Sequence, residues 1–206
     1  YGGEAIPSSL LMAGWAVNDY GATPNFPMDT IWFEPMKVDW SHPPAFEPDY
    51  QSECFRKVLA LHQAALAAAG RDNFMVGHGC FLPGNDMLPL LIGSQEFLYA
   101  LSDRPEWTRS AIMKLAQNRV DFLHYFHNLA RKTHDFWYGN AGWMPFWAPE
   151  MFMPFQSDIS CMLSCDMFEA FVIPELDLNA REFKNLWYHL DGQSAFHHLP
   201  ALLSLP

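Results

Sequence analysis

The chain is short of positive charge. Only 12 of its 206 residues are Lys or Arg, against 23 Asp and Glu, which gives a formal net charge of −11. No basic run is present to track a phosphate backbone, so nucleic acid is excluded as a natural partner. Cysteine is also scarce. Cys54, Cys80, Cys161 and Cys165 are too few for a disulfide scaffold and none lies in a CxxC. Reduced thiols in a cytoplasmic protein are the expectation. No run reaches the ~18 uninterrupted apolar residues that a membrane span needs, and no signal-peptide pattern occurs. GxGxxG and GxxxxGK[ST] are absent as well, so nothing favours a nucleotide-binding doubly wound sheet.

What is present suits a packed domain. Half of the residues are hydrophobic and 16% are aromatic, enough to bury a core and inconsistent with disorder. Residues 1–49 carry Pro24, Pro27, Pro35, Pro43, Pro44 and Pro48, which leaves room for irregular structure and a short strand near Thr30–Phe33. The chain opens at Tyr1 rather than Met and stops at Pro206 just after a helical pattern. Both ends are expected to be truncations of a longer domain.

The remainder alternates. Residues 50–69 place Phe55, Val58, Leu59, His62, Ala65, Leu66 and Ala69 on one helical face, closed by Gly70. Asn73–Gly79 has the length and composition of a buried strand. Asp86–Leu91 and Ser94–Leu101 read as short helices. Pro105–Phe136 reads as a long helix with Pro105 in its first turn. Residues 137–157 are aromatic and Pro-broken, and read as a strand followed by a long loop. Asp166 and Glu169 suggest a capping box for a helix to about Arg181, kinked at Pro174. Lys184–Asp191 is the next strand, and Ser194–Leu203 a helix capped by Ser194. Helix–strand alternation implies a mainly parallel sheet with helices outside. The expected fold is an α/β TIM barrel, one domain over 1–206 and incomplete if the ends are missing.

In such a barrel the active site lies at the C-terminal ends of the strands, which singles out three places. His78 sits between Gly77 and Gly79 at a strand end, as a substrate-binding residue or a hydrogen-bonded turn residue. His189 and Asp191 are two apart, so a strand projects them to one side. They can bind a metal, form a proton-transfer pair, orient a polar group on a substrate, or simply stiffen the strand end. Asp158 precedes a helix, as a general acid or base, a partner for a cationic group, or a turn cap. Trp143, Phe146 and Trp147 are candidate walls of an apolar pocket or core aromatics, and Tyr188 is a further candidate substrate-binding residue. Cys161 and Cys165 have one-turn spacing but no third soft ligand nearby in sequence, so buried thiols are expected. His124 and His127, one turn apart on the long helix, read as part of a solvated or inter-helix face, and His197 and His198, early in the last helix, as structural.

The segment from Asp158 through Cys165 to Glu175 resembles a recurrent one in the uroporphyrinogen decarboxylase superfamily. There an Asp precedes a Ser-Pro-x-x-(Phe/Tyr) turn, and the next helix carries an aromatic and a Pro; Cys165 stands in place of the usual Pro. Tyr188-His189-Leu190-Asp191-Gly192 is similar to the family's strand ending in His-x-Cys-Gly. Tyr1-Gly2-Gly3, the loop from Trp32 to Trp40, Gly93 and Asp103-Arg104-Pro105-Glu106 fit the same order. The resemblance implies a (β/α)8 barrel. It also implies one of two activities: cofactor-free decarboxylation of a porphyrinogen, or zinc-dependent methyl transfer between a corrinoid and a thiol. The decarboxylases' N-terminal Arg-rich motif is not in this sequence, and Asp191 stands where the methyltransferases place a Cys. Metal-assisted methyl transfer is the leading expectation, with His189 and Asp191 as zinc ligands and a small-molecule substrate. A corrinoid protein and a second copy of the chain are the partners the resemblance implies. Decarboxylation with Asp158 stabilising a cationic pyrrole, and a non-catalytic barrel binding a corrinoid or aromatic ligand, are the alternatives.

Overall fold

The computed structural model describes residues 4–5, 20–25, 32–70, 74–76, 82–133 and 152–205. In chain order the strands are β1 (Glu4–Ala5), β2 (Thr23–Asn25), β3 (Trp32–Glu34), β4 (Met75–Val76), β5 (Phe152–Gln156) and β6 (Asn185–His189). The α-helices are α1 (Glu53–Ala69), α2 (Gly84–Ile92), α3 (Ser94–Asp103), α4 (Pro105–Arg131), α5 (Cys165–Phe171), α6 (Ile173–Glu182) and α7 (Leu199–Leu203). Two 3-10 turns, Asp158–Met162 and Gln193–His198, follow β5 and β6.

Among the described residues the strands form three two-stranded sheets. β1 with β4 and β5 with β6 are parallel, while β2 and β3 are antiparallel. The expectation of parallel pairing is met, but no closed ring of strands is present among these residues. The body described is a mixed helical one with short parallel pairs. Among the described residues, no helix is long and apolar enough to cross a membrane.

The helices start and stop where their residues dictate. Ser52 Oγ accepts from Phe55 N–H at 2.9 Å to open α1, and Gly70 at φ 56° closes it. Pro105 opens α4 directly after Arg104 breaks from α3. Helix α4 is the spine of the core: Ile112, Leu115, Ala116, Val120, Leu123 and Phe126 are all at most 1% exposed. His62 on α1 is fully buried against Phe126, and both ring nitrogens lack a hydrogen bond among the described residues. Burial alone holds its pKa down at about 4, as expected for an imidazole kept neutral in an apolar site.

Helix α2 crosses α4 closely enough that only glycine fits at residue 84. A Cβ there would collide with the Ile112 carbonyl oxygen and sit 3.1 Å from Ala116 N. The N-terminus of α2 is capped from a distance by Glu175 on α6. Its carboxylate accepts from Gly84 N–H at 2.6 Å, Asn85 N–H at 3.0 Å and Asn85 Nδ2 at 2.9 Å. Arg119 on α4, 1% exposed, supplies the compensating charge. It donates to the Pro154 carbonyl at 2.5 Å and Asn179 Oδ1 at 3.3 Å, and lies over the Phe155 ring. At the opposite corner, Trp40 donates to Glu96 at 2.7 Å, meets Trp107 edge to face, and carries the Arg104 guanidinium over its ring.

Several expectations need correcting. Phe152–Gln156 is a strand rather than loop: the missing N–H of Pro154 does not stop pairing with β6, and its carbonyl is held by Arg119. The cap of α5 is Ser164, which accepts from Met167 N–H at 3.2 Å, not Asp166. The chain breaks fully at Val172 instead of kinking, with Pro174 in the first turn of α6. Ser194 caps nothing; Gly192 at φ 75° precedes a 3-10 turn. Cys161 and Cys165 are exposed, not buried, because the turn between β5 and α5 runs along the surface.

Arg119→Met keeps an apolar stem but leaves Glu175 charged, buried and uncompensated. A loss of about 3–5 kcal/mol is expected for breaking such a pair, read by urea unfolding. Gly84→Ala should lower the thermal midpoint by separating α2 from α4, an overpacking cost of about 1–3 kcal/mol.

Candidate functional site

Strands β5 and β6 run parallel in register, with Gln156 opposite His189. Their C-terminal ends therefore lie side by side, and the residues that follow each strand emerge at one edge. Asp158 leaves β5 and Asp191 leaves β6 there. The buried N-terminal half of α2 brings a further acid, Asp86, to the same edge.

Asp86 is 7% exposed. Its Oδ1 accepts from Asp158 N–H at 2.8 Å and its Oδ2 from Gln156 Nε2 at 3.1 Å. The same Gln156 amide donates to Asp158 Oδ2 at 3.0 Å. One amide group thus ties two carboxylates together. Burial first, then the charge of Asp158, pushes the Asp86 pKa up to about 7, despite the two hydrogen bonds that favour its ionised form. Asp158 is also raised, by burial and by Asp191, with His189 opposing. Asp86 and Asp158 line a cavity of about 260 Å³ whose apolar walls include Leu82, Pro89, Leu90, Ile159 and Met162. A pair of carboxyl groups of which one titrates near neutrality can hold, take up or release a proton at working pH.

Three sequence-derived candidates meet at this edge. Asp158 lies within electrostatic reach of both His189 and Asp191. His189 is half-buried and stacks on Trp187, while Asp191 is exposed two residues beyond the strand. Tyr188 points to the other face of β6, stacked on its register partner Phe155. Burial raises its phenol, with Asp86 adding to the shift and Ser160 opposing it. His78, Trp143 and Trp147 lie outside the described residues.

Asp86 was missed as a site residue because it sits inside a helix rather than at a strand end. The signal was present: it is the one charged residue in the buried run Gly84–Ile92, whose remaining residues other than Asn85 are apolar. A lone carboxylate on a buried helix needs either a partner or a task.

His189 and Asp191 would supply two donors to a zinc ion at the strand ends. Zinc sites draw on three or four protein donors. Among the described residues, the group of three or more His, Cys, Asp or Glu donors gathered within 4.8 Å is elsewhere, at Cys165, His197 and His198.

No family model matches the chain, and no curated protein does. One solved structure carries the comparison. The fold is similar to that of a methyltransferase from Methanosarcina mazei. The two superpose with a TM-score of 0.60 over 88% of this chain at 12% identity. The chain spans half the length of that structure. At this identity the likeness concerns the fold alone.

The Asp86 shift has a stability consequence. With its folded pKa above the unfolded value of 3.8, the folded state keeps a proton that the unfolded state loses. Its contribution is therefore greatest below about pH 4, falls as pH rises, and levels off above about pH 7. Asp86→Asn should remove that fall. The measurement is the difference in denaturant midpoint between acidic and mildly alkaline buffer, which should shrink relative to wild type.

Proposed function

We propose that the chain is part of a methyl-transfer enzyme built on a (β/α)8 barrel of the uroporphyrinogen decarboxylase type, with a corrinoid as methyl carrier and a thiol as acceptor. The observation that carries this reading is the Asp86–Gln156–Asp158 cluster at the C-terminal end of a parallel strand pair, the end at which barrel enzymes place their chemistry. The likeness to a methyltransferase fold supports it.

The acceptor thiol must lose its proton before its sulfur can attack a methyl group. A carboxylate pair of which Asp86 titrates near neutrality is suited to take that proton. The S–CH3 bond then forms as the bond from the methyl carbon to its carrier breaks, and that bonding pair stays with the carrier. Burial of Asp86 beside the apolar walls of the cavity keeps its affinity for the proton high. His189 would stabilise the anionic pair after or before transfer, and Asp191 would tune it. His78, Tyr188, Trp143 and Trp147 remain proposed contacts to the substrate.

Decarboxylation is the second reading, and the same carboxylates favour it: an anionic Asp158 suits a cationic pyrrole-like intermediate, and a protonated Asp86 could return a proton to carbon.

The test is demethylation of methylcobalamin by a thiol, followed by its visible spectrum, alongside carbon dioxide release from uroporphyrinogen. Thiol-dependent demethylation is expected, with a rate that rises as pH passes through about 7. Asp86→Asn and Asp158→Asn should each slow it by about 100-fold or more, the usual worth of a positioned general base. Carbon dioxide release without demethylation would move the assignment to the second reading. Tight corrinoid binding with neither turnover would leave a binding protein and overturn both.

A further inference from the structure

Beside the 3-10 turn that carries Asp158, three further donors converge. Cys165 Sγ and one ring nitrogen from each of His197 and His198 lie within 4.8 Å of one another. They come from two distant stretches: Cys165 opens α5, and the histidines close the 3-10 turn Gln193–His198. Cys165 Sγ lies 3.7 Å from the His197 carbonyl, and the two imidazole centroids are 3.8 Å apart.

The tautomers are already set. His197 Nε2 faces the Leu163 carbonyl at 3.0 Å and His198 Nε2 faces the Ser160 carbonyl at 2.8 Å. Carbonyl oxygens only accept, so each Nε2 carries the hydrogen and each Nδ1 presents a lone pair. This is the arrangement by which backbone carbonyls orient metal-binding histidines. His198 is 1% exposed and its Nδ1 is buried with no hydrogen-bond partner. A buried imidazole nitrogen without a partner is costly, and a metal ion would satisfy it.

We propose that Cys165, His197 and His198 form a binding site for a zinc-class divalent ion, separate from the strand-end carboxylates. One thiolate and two imidazoles are a donor set that zinc takes readily, in tetrahedral geometry with bonds of about 2.0–2.3 Å and donors about 3.3–3.8 Å apart. The present spacing needs about 1 Å of side-chain closure to reach that geometry. Cys165 and His197 are exposed while His198 is not, so the fourth position opens to solvent and admits water or an external thiol. Bound metal would join α5 to the turn before α7. Through the Ser160 carbonyl it would also brace the turn that holds Asp158.

Cobalt(II) titration of the purified protein tests the site, because a thiolate ligand gives a sulfur-to-cobalt charge-transfer band and tetrahedral geometry gives strong visible bands. One cobalt per chain is expected, displaced by zinc. Cys165→Ser should abolish the charge-transfer band and weaken binding by about 100-fold or more, beyond the 10–100-fold typical of losing a residue that merely orients a ligand. His198→Ala removes a packed ring and can unfold the chain, so the exposed His197→Ala is the companion variant, with circular dichroism as the folding control. Cys161→Ser, His189→Ala and Asp191→Ala should leave band and affinity unchanged. Absence of the band in wild type, its persistence in Cys165→Ser, or its loss in His189→Ala would overturn the proposal. None of these spectra depends on methyl transfer, so the site and the proposed activity stand or fall separately.

Discussion

The buried charge of Glu175 is the constraint around which the helical body is assembled. A carboxylate with no exposure must be hydrogen-bonded and compensated or it will protonate. Here the N-terminus of α2 supplies three donors, and Arg119 supplies the opposing charge. That solution fixes α6 against α2 and α4 together. Arg119 then holds the Pro154 carbonyl, which sets β5. Four elements distant in sequence are thereby positioned by one acid and one base, and the placement of Asp86 at the strand end is a by-product of where Glu175 pins its helix.

Asp86 also feels the charge of Glu175. A second buried carboxylate behind it makes ionisation harder, and together with burial and Asp158 this moves its titration towards neutrality. The structural acid and the candidate proton carrier are thus coupled. The core sets a property of the edge, and a change at residue 175 would be felt at the site even though Glu175 lines none of the cavity.

Much of the helical framework is readable from residue spacing. The face of α1 is buried at Phe55, Val58, His62, Leu66 and Ala69, and α4 begins at Pro105, because long amphipathic periods with clear ends leave little choice. β6 and its His189 were legible for a similar reason: an apolar strand closed by glycine. What escaped depends on contacts between distant residues. β5 contains a proline and no alternation, and is a strand because β6 and Arg119 hold it so. Asp86 acquires its character from burial in the folded body and from Asp158, Gln156 and Glu175, which lie 70 or more residues away. Exposure of Cys165 and its meeting with His197 and His198 likewise require the two turns to pack together. The closed ring of strands expected from alternation is not reached among the described residues, since alternation records order along the chain and not closure.

The cluster at Trp40 bears on how the proline-rich stretch behaves. Its indole is gripped on an edge by Glu96 at the start of α3, on a face by Arg104 at the α3–α4 corner, and against the Trp107 ring in the first turn of α4. A stretch with so many prolines starts with few backbone conformations to lose, and one large aromatic anchor is enough to hold it down. Residues 35–50 therefore behave as a cladding already seated on the helices, and a ligand arriving at the strand ends finds that part of the protein with no ordering left to do.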